Sequence, residues 1–225
     1  MGKLIAIEGV DASGKETQTH LLYENLKAQG KKVRKIRFPH YESDSSALVK
    51  MYLNGDFGCD AKAVSPYIAS TFYAADRYAS FMTDWKKDYE DPDTVIIADR
   101  YTTANMIHQA SKIDDKDEKD KFLIWLREFE YSLYGLPKPD LVLFLHMPLI
   151  KIREIIKMRD NKIDGTGKKD IHETNDEYME KSYENALYIA QKEGFCVIDA
   201  DDGDGGIKSI HTISEEILEK VNMII

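Results

Sequence analysis

The chain has 225 residues, of which 43% are hydrophobic and 32% are charged, and its formal net charge is −9. This length fits one α/β domain, so we expect a single domain over residues 1–225. A net charge this negative excludes broad, nonspecific binding to nucleic acid. The two cysteines lie far apart, match no metal-site spacing and are typical of reduced thiols. No apolar run approaches the length of a membrane span. We therefore expect a cytoplasmic protein that binds neither nucleic acid nor membrane.

Short apolar runs predict the β-strands of this chain. In chain order they lie at residues 3–8, 33–38, 95–98, 141–145 and 195–198. Longer segments separate them, and parallel strands need such crossover connections, which are usually helices. The alternation predicts an α/β fold with a parallel sheet that is covered by helices on both faces.

Helical patterns fill the segments between these runs. The helix after the first strand is expected to end at Gly30, because glycine favours the C-terminal end of a helix, and residues 60–88 read as mostly helical. Two amphipathic stripes predict packed helices later in the chain: Phe122, Leu126, Phe129 and Leu133, and then Ile207, Ile210, Ile213, Ile217 and Val221. The polar, basic and glycine-containing residues 159–170 lie between two helices and are a candidate mobile lid. An ordinary surface loop is the alternative.

The first predicted strand leads into a sequence close to a phosphate-binding loop. Residues 9–15 fit G-x-x-x-x-G-K, but Glu16 stands where Ser or Thr is usual, and Thr17 follows. In such a loop, backbone N–H groups and a helix N-terminus face the phosphates, and the lysine reaches the β and γ phosphates. The strand before the loop and the helix after it predict an ATP site in which Lys15 is catalytic. Its residues are Gly9, Val10, Asp11, Ala12, Ser13, Gly14, Lys15, Glu16 and Thr17.

Glu16 has two interpretations. Because Mg²⁺ prefers oxygen ligands and keeps several waters, the Glu16 carboxylate or the Thr17 hydroxyl is expected to ligate it, and Mg²⁺ is the expected cofactor. Alternatively, Glu16 only complements the helix N-terminus, an effect worth ~0.3–1 kcal/mol. Without metal the carboxylate would repel a triphosphate, which favours the metal role.

Five motifs in order resemble those of the thymidylate kinase family. They are IAIEGVDASGKETQ at the loop, RFP at 37–39, FYAADRY at 72–78, DRY at 99–101 and LPKPDLVLFL at 136–145. The resemblance covers nearly the whole chain and implies a three-layer P-loop NTPase fold, with a five-stranded parallel sheet and a lid. It also implies transfer of the γ-phosphoryl group of ATP to dTMP in dTTP biosynthesis, with dTDP and ADP as products, by a homodimer.

The resemblance further implies roles for individual residues. Asp11 matches the aspartate that bonds the acceptor 3′-hydroxyl, and Arg100 the arginine that holds the dTMP phosphate, which makes it catalytic. Asp99 positions that arginine or a Mg²⁺-bound water, and so completes the expected metal set of Glu16, Thr17 and Asp99. Tyr73 matches the aromatic that stacks on thymine, and Arg77 the arginine that reaches the base edge. The whole expected dTMP site is Asp11, Phe38, Tyr73, Arg77, Arg100, Asn105 and Gln109, where the last two bond the base.

Three departures from the family pattern leave alternatives open. Tyr41 stands where relatives usually have a second phosphate-binding arginine, Ala12 replaces a loop arginine found in one branch, and residues 170–173 lack an arginine. In the other branch the lid supplies the positive charge. Here the lid over about 159–172 offers the cations Arg159, Lys162, Lys168 and Lys169, and Arg159 is the expected catalytic one. The alternatives are a kinase for another (deoxy)nucleoside monophosphate and a catalytically impaired nucleotide-binding regulatory protein.

Overall fold

The fold is built on a parallel β-sheet, seen in a computed structural model that describes residues 1–58, 60, 63–160 and 176–225. The strands are β1 (Lys3–Glu8), β2 (Lys32–Arg37), β3 (Thr94–Asp99), β4 (Leu141–His146) and β5 (Cys196–Asp199). They form one sheet in the order β2-β3-β1-β4-β5, and every adjacent pair is parallel. The predicted strands and the parallel sheet are therefore confirmed, with each strand boundary within one residue of its predicted position.

Helices connect the strands. They are α1 (Lys15–Ala28), α2 (Ala47–Leu53), α3 (Pro66–Ser80), α4 (Lys86–Glu90), α5 (Thr102–His108), α6 (Lys116–Arg127), α7 (Leu149–Asp160), α8 (Asp176–Lys192) and α9 (Ile210–Asn222). Two π-helical segments, Phe81–Trp85 and Glu128–Leu133, directly follow α3 and α6. Across the described residues, none of the helices combines the length and apolar character that a bilayer span needs.

Both faces of the sheet are buried. Side chains alternate along β1, so Ile5 and Ile7 enter one hydrophobic core while Leu4 and Ala6 enter another. The first core also contains residues of α1, α5, α6, α7, α8 and α9, and the second contains Phe81 and Trp85. This two-sided coverage is the arrangement predicted from the continuous apolar runs.

Both predicted helical stripes are only partly right. Leu133 is 72% exposed, because the chain leaves α-helical geometry at Glu128 and the wider π-helical turn changes which side chains face inward. Ile207 precedes α9, and Ile210, its first residue, is 59% exposed. The rest of that stripe, Ile213, Ile217 and Val221, is buried as expected.

Candidate active site

The loop between β1 and α1 has the backbone of a phosphate-binding loop. Gly9 has φ +156°, and a Cβ at this position would lie 2.6 Å from Ser13 Oγ and 3.0 Å from the Leu145 carbonyl oxygen, so a side chain does not fit. Gly14, with φ +89°, ends the loop directly before α1 begins at Lys15. The predicted succession of strand, glycine loop and helix is present, and it directs the N-terminus of α1 at the loop.

The Lys15 ammonium group is folded into this loop. Its Nζ donates a hydrogen bond of 2.7 Å to the Val10 carbonyl oxygen, and the residue is only 7% exposed. Burial and the nearby Arg100 guanidinium lower the pKa of Lys15 to about 8, although Asp11 and other carboxylates act in the opposite direction. Lys15 is thus a desolvated cation at the position where the phosphates of a nucleotide are expected.

A broad cleft, which we call the donor cleft, runs along this loop and the end of β2. It is lined by Asp11, Ala12, Gly14, Lys15, Glu16, Thr17, His20, Lys35, Arg37, Asp99 and Arg100. The three predicted metal ligands, Glu16, Thr17 and Asp99, therefore line the same cleft. Among the described residues, no group of three or more Asp, Glu, His or Cys side chains is arranged to hold a metal ion. An ion here would take most of its ligands from phosphates and water.

Arg37 is a partner of the predicted metal ligands that the sequence did not indicate. Its Nη1 lies 3.3 Å from Glu16 Oε1, and its Nε lies 3.6 Å from Asp99 Oδ2. The Glu16 side chain is 77% exposed and that of Arg37 59%, so this pair is weakly held and free to rearrange when an anion or a cation enters the cleft.

A second cleft, which we call the acceptor cleft, shares residues with the donor cleft. It is lined by Asp11, Phe38, Pro39, Tyr41, Leu53, Tyr73, Arg77, Arg100, Ala104, Asn105, His108 and Gln109. All seven residues predicted for the dTMP site lie in this lining. They come from four parts of the chain: the loop after β1, the end of β2, α3 and the segment after β3. These parts meet at the carboxyl edge of the sheet, where α/β folds bind ligands.

A buried ion pair holds Arg77 in the wall of the acceptor cleft. Arg77 Nε and Nη2 donate to the two carboxylate oxygens of Glu130 at 2.7 and 2.6 Å, and both residues are almost fully buried. Burial lowers the pKa of Arg77, but the adjacent Glu130 carboxylate outweighs it and leaves this pKa raised. Asn105 Nδ2 also donates to Glu130, at 3.1 Å. Gln109 Oε1 is buried, and no described residue bonds it.

The aromatic part of the acceptor cleft is held by edge-to-face packing. The Tyr73 ring meets the ring of the buried Tyr52 at 89°, with 6.4 Å between centroids. Phe38 is buried against Tyr101, and the Phe38–Pro39 peptide bond is cis. Tyr73 thus has a fixed position on the cleft wall from which a planar base can be stacked.

Arg100 also lines the acceptor cleft. This residue has φ +65° and directly follows β3. Its guanidinium pairs with the Asp11 carboxylate, and its Nη1 donates to His108 Nε2 at 2.7 Å. Because arginine only donates, His108 accepts here and has its proton on Nδ1. Asp99 contacts Arg37, so the expected role of Asp99 in positioning Arg100 stays a prediction.

Glu8 supports the turn that presents Arg100. It is fully buried at the end of β1, and its Oε1 accepts hydrogen bonds from Tyr101 N at 2.9 Å and Thr103 Oγ1 at 2.6 Å. Burial raises the pKa of Glu8, and these hydrogen bonds and Arg100 oppose that rise. Sequence reasoning missed this residue, although a carboxylate at the end of an otherwise apolar strand is a visible signal.

The donor and acceptor clefts meet, because Asp11 and Arg100 line both. A phosphate on Lys15 and a phosphate in the acceptor cleft would therefore approach each other at the Arg100 guanidinium. The arrangement is suited to transfer of a group between two anionic ligands.

The lid prediction lies mostly outside the described residues. The backbone of Arg159 belongs to the end of α7, but Lys162, Lys168 and Lys169 fall outside the part of the chain that the structure describes. The catalytic role expected for Arg159 stays a prediction.

Comparison with known proteins identifies the family and the fold of this chain. The family model for thymidylate kinase matches residues 7–210. The chain belongs to the thymidylate kinase family. A solved structure of thymidylate kinase from Candida albicans superposes with a TM-score of 0.70 at 26% identity, over 99% of this chain and 92% of that one. The P-loop nucleoside monophosphate kinase fold is thereby confirmed.

Curated relatives of this family are similar over different lengths. Thymidylate kinase from Mycobacterium tuberculosis is 34% identical over 140 residues, which span 61% of this chain and 62% of that protein. Thymidylate kinase from Sulfurihydrogenibium sp. is 30% identical over 230 residues, which span 100% of both. The match to the human thymidylate kinase, 30% identical, again spans 62% of the relative.

Proposed function

We propose that this chain transfers the γ-phosphoryl group of ATP to dTMP, with ADP and dTDP as products, as a step in dTTP biosynthesis. The observation that carries the proposal is the junction of the two clefts at Asp11 and Arg100. One cleft contains a phosphate-binding loop, and the other has an aromatic wall and polar groups of a kind that bind a base. A nucleotide-binding regulator without catalysis has no need for the second cleft.

The donor half of the mechanism rests on the loop. Backbone N–H groups between Gly9 and Lys15 and the N-terminus of α1 bind the ATP phosphates, and Lys15 moves from the Val10 carbonyl to the β and γ oxygens. The negative charge of the bound phosphates stabilises the protonated form of Lys15. This positioning and charge neutralisation supply most of the catalysis in phosphoryl transfer.

The acceptor half places the dTMP phosphate at Arg100 and the base near Arg77. Arg100 exchanges the Asp11 carboxylate for the phosphate, and Asp11 accepts a hydrogen bond from the sugar 3′-hydroxyl. Thymine stacks on Tyr73, and Arg77, Asn105 and Gln109 face its edge. A phosphate oxygen that is already anionic near neutral pH attacks the γ phosphorus in line, so no general base is required.

Mg²⁺ fits the oxygen donors of the donor cleft. Glu16, Thr17 and Asp99 offer carboxylate and hydroxyl oxygens, and Mg²⁺ bound by few protein groups keeps phosphate and water ligands. When bound, it neutralises charge on the phosphoryl oxygens. Glu16→Ser separates the two roles of Glu16: a changed Mg²⁺ dependence of ATP binding supports metal linkage. An unchanged dependence would leave Glu16 only as a complement to the N-terminus of α1 and a partner of Arg37.

Three further expectations belong to this proposal. A lid over about 159–172 closes on ATP and excludes water, with Arg159 as its first candidate cation. Substitution of Arg159, Lys162, Lys168 and Lys169 one by one and in pairs should slow the chemical step in at least one variant.

The protein is also proposed to be a cytoplasmic homodimer, and light scattering of the purified chain tests the dimer.

A monophosphate panel tests the proposed function. ADP formation from ATP is followed with dTMP, dUMP, dGMP and UMP as acceptors, and dTMP should give the highest kcat/KM. Faster turnover with a purine monophosphate would show a different kinase. ADP formation with none of them would favour a regulatory protein.

A further inference from the structure

The buried Glu130 carboxylate contacts Arg77 and Asn105, two of the three residues that are expected to bond the base edge. Its oxygens accept from Arg77 Nε and Nη2, and Oε1 also accepts from Asn105 Nδ2. Glu130 is 0% exposed and touches the cleft only through these partners. We propose that Glu130 is a positioning residue that sets the hydrogen-bond polarity of the acceptor cleft, and thereby selects a thymine or uracil edge over a cytosine edge.

The first step concerns Asn105. A side-chain amide has one end that donates and one that accepts, and which end faces a ligand depends on its neighbours. Nδ2 of Asn105 lies 3.1 Å from Glu130 Oε1 and 3.4 Å from the Ser70 carbonyl oxygen, and both of these groups only accept. The amide is therefore fixed with its NH₂ towards Glu130, and its Oδ1 is turned away as an acceptor for the ligand.

The second step concerns Arg77. Glu130 binds the Nε–Nη2 side of the guanidinium, and Nη1 donates a longer bond of 3.4 Å to the Tyr101 carbonyl oxygen. Arginine has five N–H groups and no acceptor, so the part that faces the acceptor cleft can only donate. The bidentate contact holds this donor in one orientation.

Together, the two residues present a donor beside an acceptor. Thymine and uracil have the complementary pattern, because the C4 carbonyl accepts and N3–H donates. Cytosine has the opposite pattern at both atoms, with an amino group at C4 that donates and an N3 that accepts. Cytosine would therefore leave two buried polar pairs unmatched, which is the strongest form of discrimination available to a binding site.

The test measures the preference of the protein for dTMP over dCMP. Only its kinetic measurement depends on the proposed function. Binding of each nucleotide to the full chain is measured by isothermal titration calorimetry, and kcat/KM is measured with ATP. Glu130→Gln replaces one acceptor oxygen by a donor, so one partner must turn. The dTMP:dCMP ratio should fall at least about tenfold, mainly through a higher KM for dTMP. Glu130→Asp keeps two acceptor oxygens and should retain most of the preference.

Glu128→Gln is the matched control, because Glu128 lies exposed in the same π-helical segment. It should keep the wild-type ratio. An unchanged ratio in Glu130→Gln would overturn the inference, as would equal losses in Glu130→Gln and Glu130→Asp, which would indicate packing alone. A wild-type chain without preference for dTMP over dCMP would also overturn it.

If Glu130→Gln fails to fold, the double variant Arg77→Met/Glu130→Met replaces the ion pair by apolar groups, a change that buried pairs often tolerate. It should bind the two nucleotides about equally, and a retained preference would contradict the inference. A wild-type chain that prefers dTMP in calorimetry but forms no dTDP would refute the proposed function and leave this inference standing.

Discussion

The protonation of Lys15 makes ATP binding depend on pH in a calculable way. Burial beside Arg100 lowers the pKa of Lys15 from 10.5 to about 8. Each pKa unit corresponds to about 1.4 kcal/mol, so the folded protein disfavours the protonated form by about 3 kcal/mol. ATP needs the protonated form and should raise this pKa again. Below pH 8 the proton is already present, whereas above pH 8 it must be taken up on binding.

From pH 7 to pH 9 the Kd for Mg²⁺–ATP should therefore rise about tenfold through this group, with uptake of about half a proton per ATP at pH 8. Calorimetry in buffers of different ionisation enthalpy measures both quantities. Lys35→Met, which removes an exposed lysine of the same cleft, should keep the dependence, and Lys15→Met should abolish it. A flat profile in the wild type, or an unchanged slope in Lys15→Met, would refute this account of the loop.

Two further substitutions test the acceptor cleft. Tyr73→Ala should weaken dTMP binding by ~1–3 kcal/mol, because it removes the stacking surface. Tyr78→Ala on the same helix is the control and should leave the KM for dTMP unchanged. Equal effects of the two substitutions would contradict the stacking role. Arg100→Ala should reduce kcat by about 10³ through loss of charge stabilisation at the junction, measured in single turnovers. Arg34→Ala, which breaks a pair with Asp84, is its control, and a comparable loss there would point to general destabilisation.

The sheet and the loop were predictable because both are local patterns. Strands that are buried on two faces are continuous apolar runs, and the phosphate-binding loop is set by the spacing of Gly9, Gly14 and Lys15. The acceptor residues were assigned through the family resemblance. No local pattern placed Tyr73, Asn105 and the end of β3 in one cleft.

Glu130 was not predictable from periodicity. A continuous α-helical stripe placed Phe129 and Leu133 on the buried face, but the π-helical segment buries Glu130 and exposes Leu133. The contact of Arg37 with Glu16 and Asp99 was missed for a different reason. It joins β2, α1 and β3, and no sequence spacing reports such a contact.

The most direct test of the central claim is the fate of the γ-phosphoryl group. ATP labelled in the γ-phosphate is incubated with dTMP and the purified chain, and the products are separated. Direct transfer across the junction of the two clefts predicts one labelled dTDP for each ADP formed, with little labelled inorganic phosphate, and almost no product from Lys15→Met. Label that appears mainly in inorganic phosphate, or a Lys15→Met variant as active as the wild type, would contradict the account.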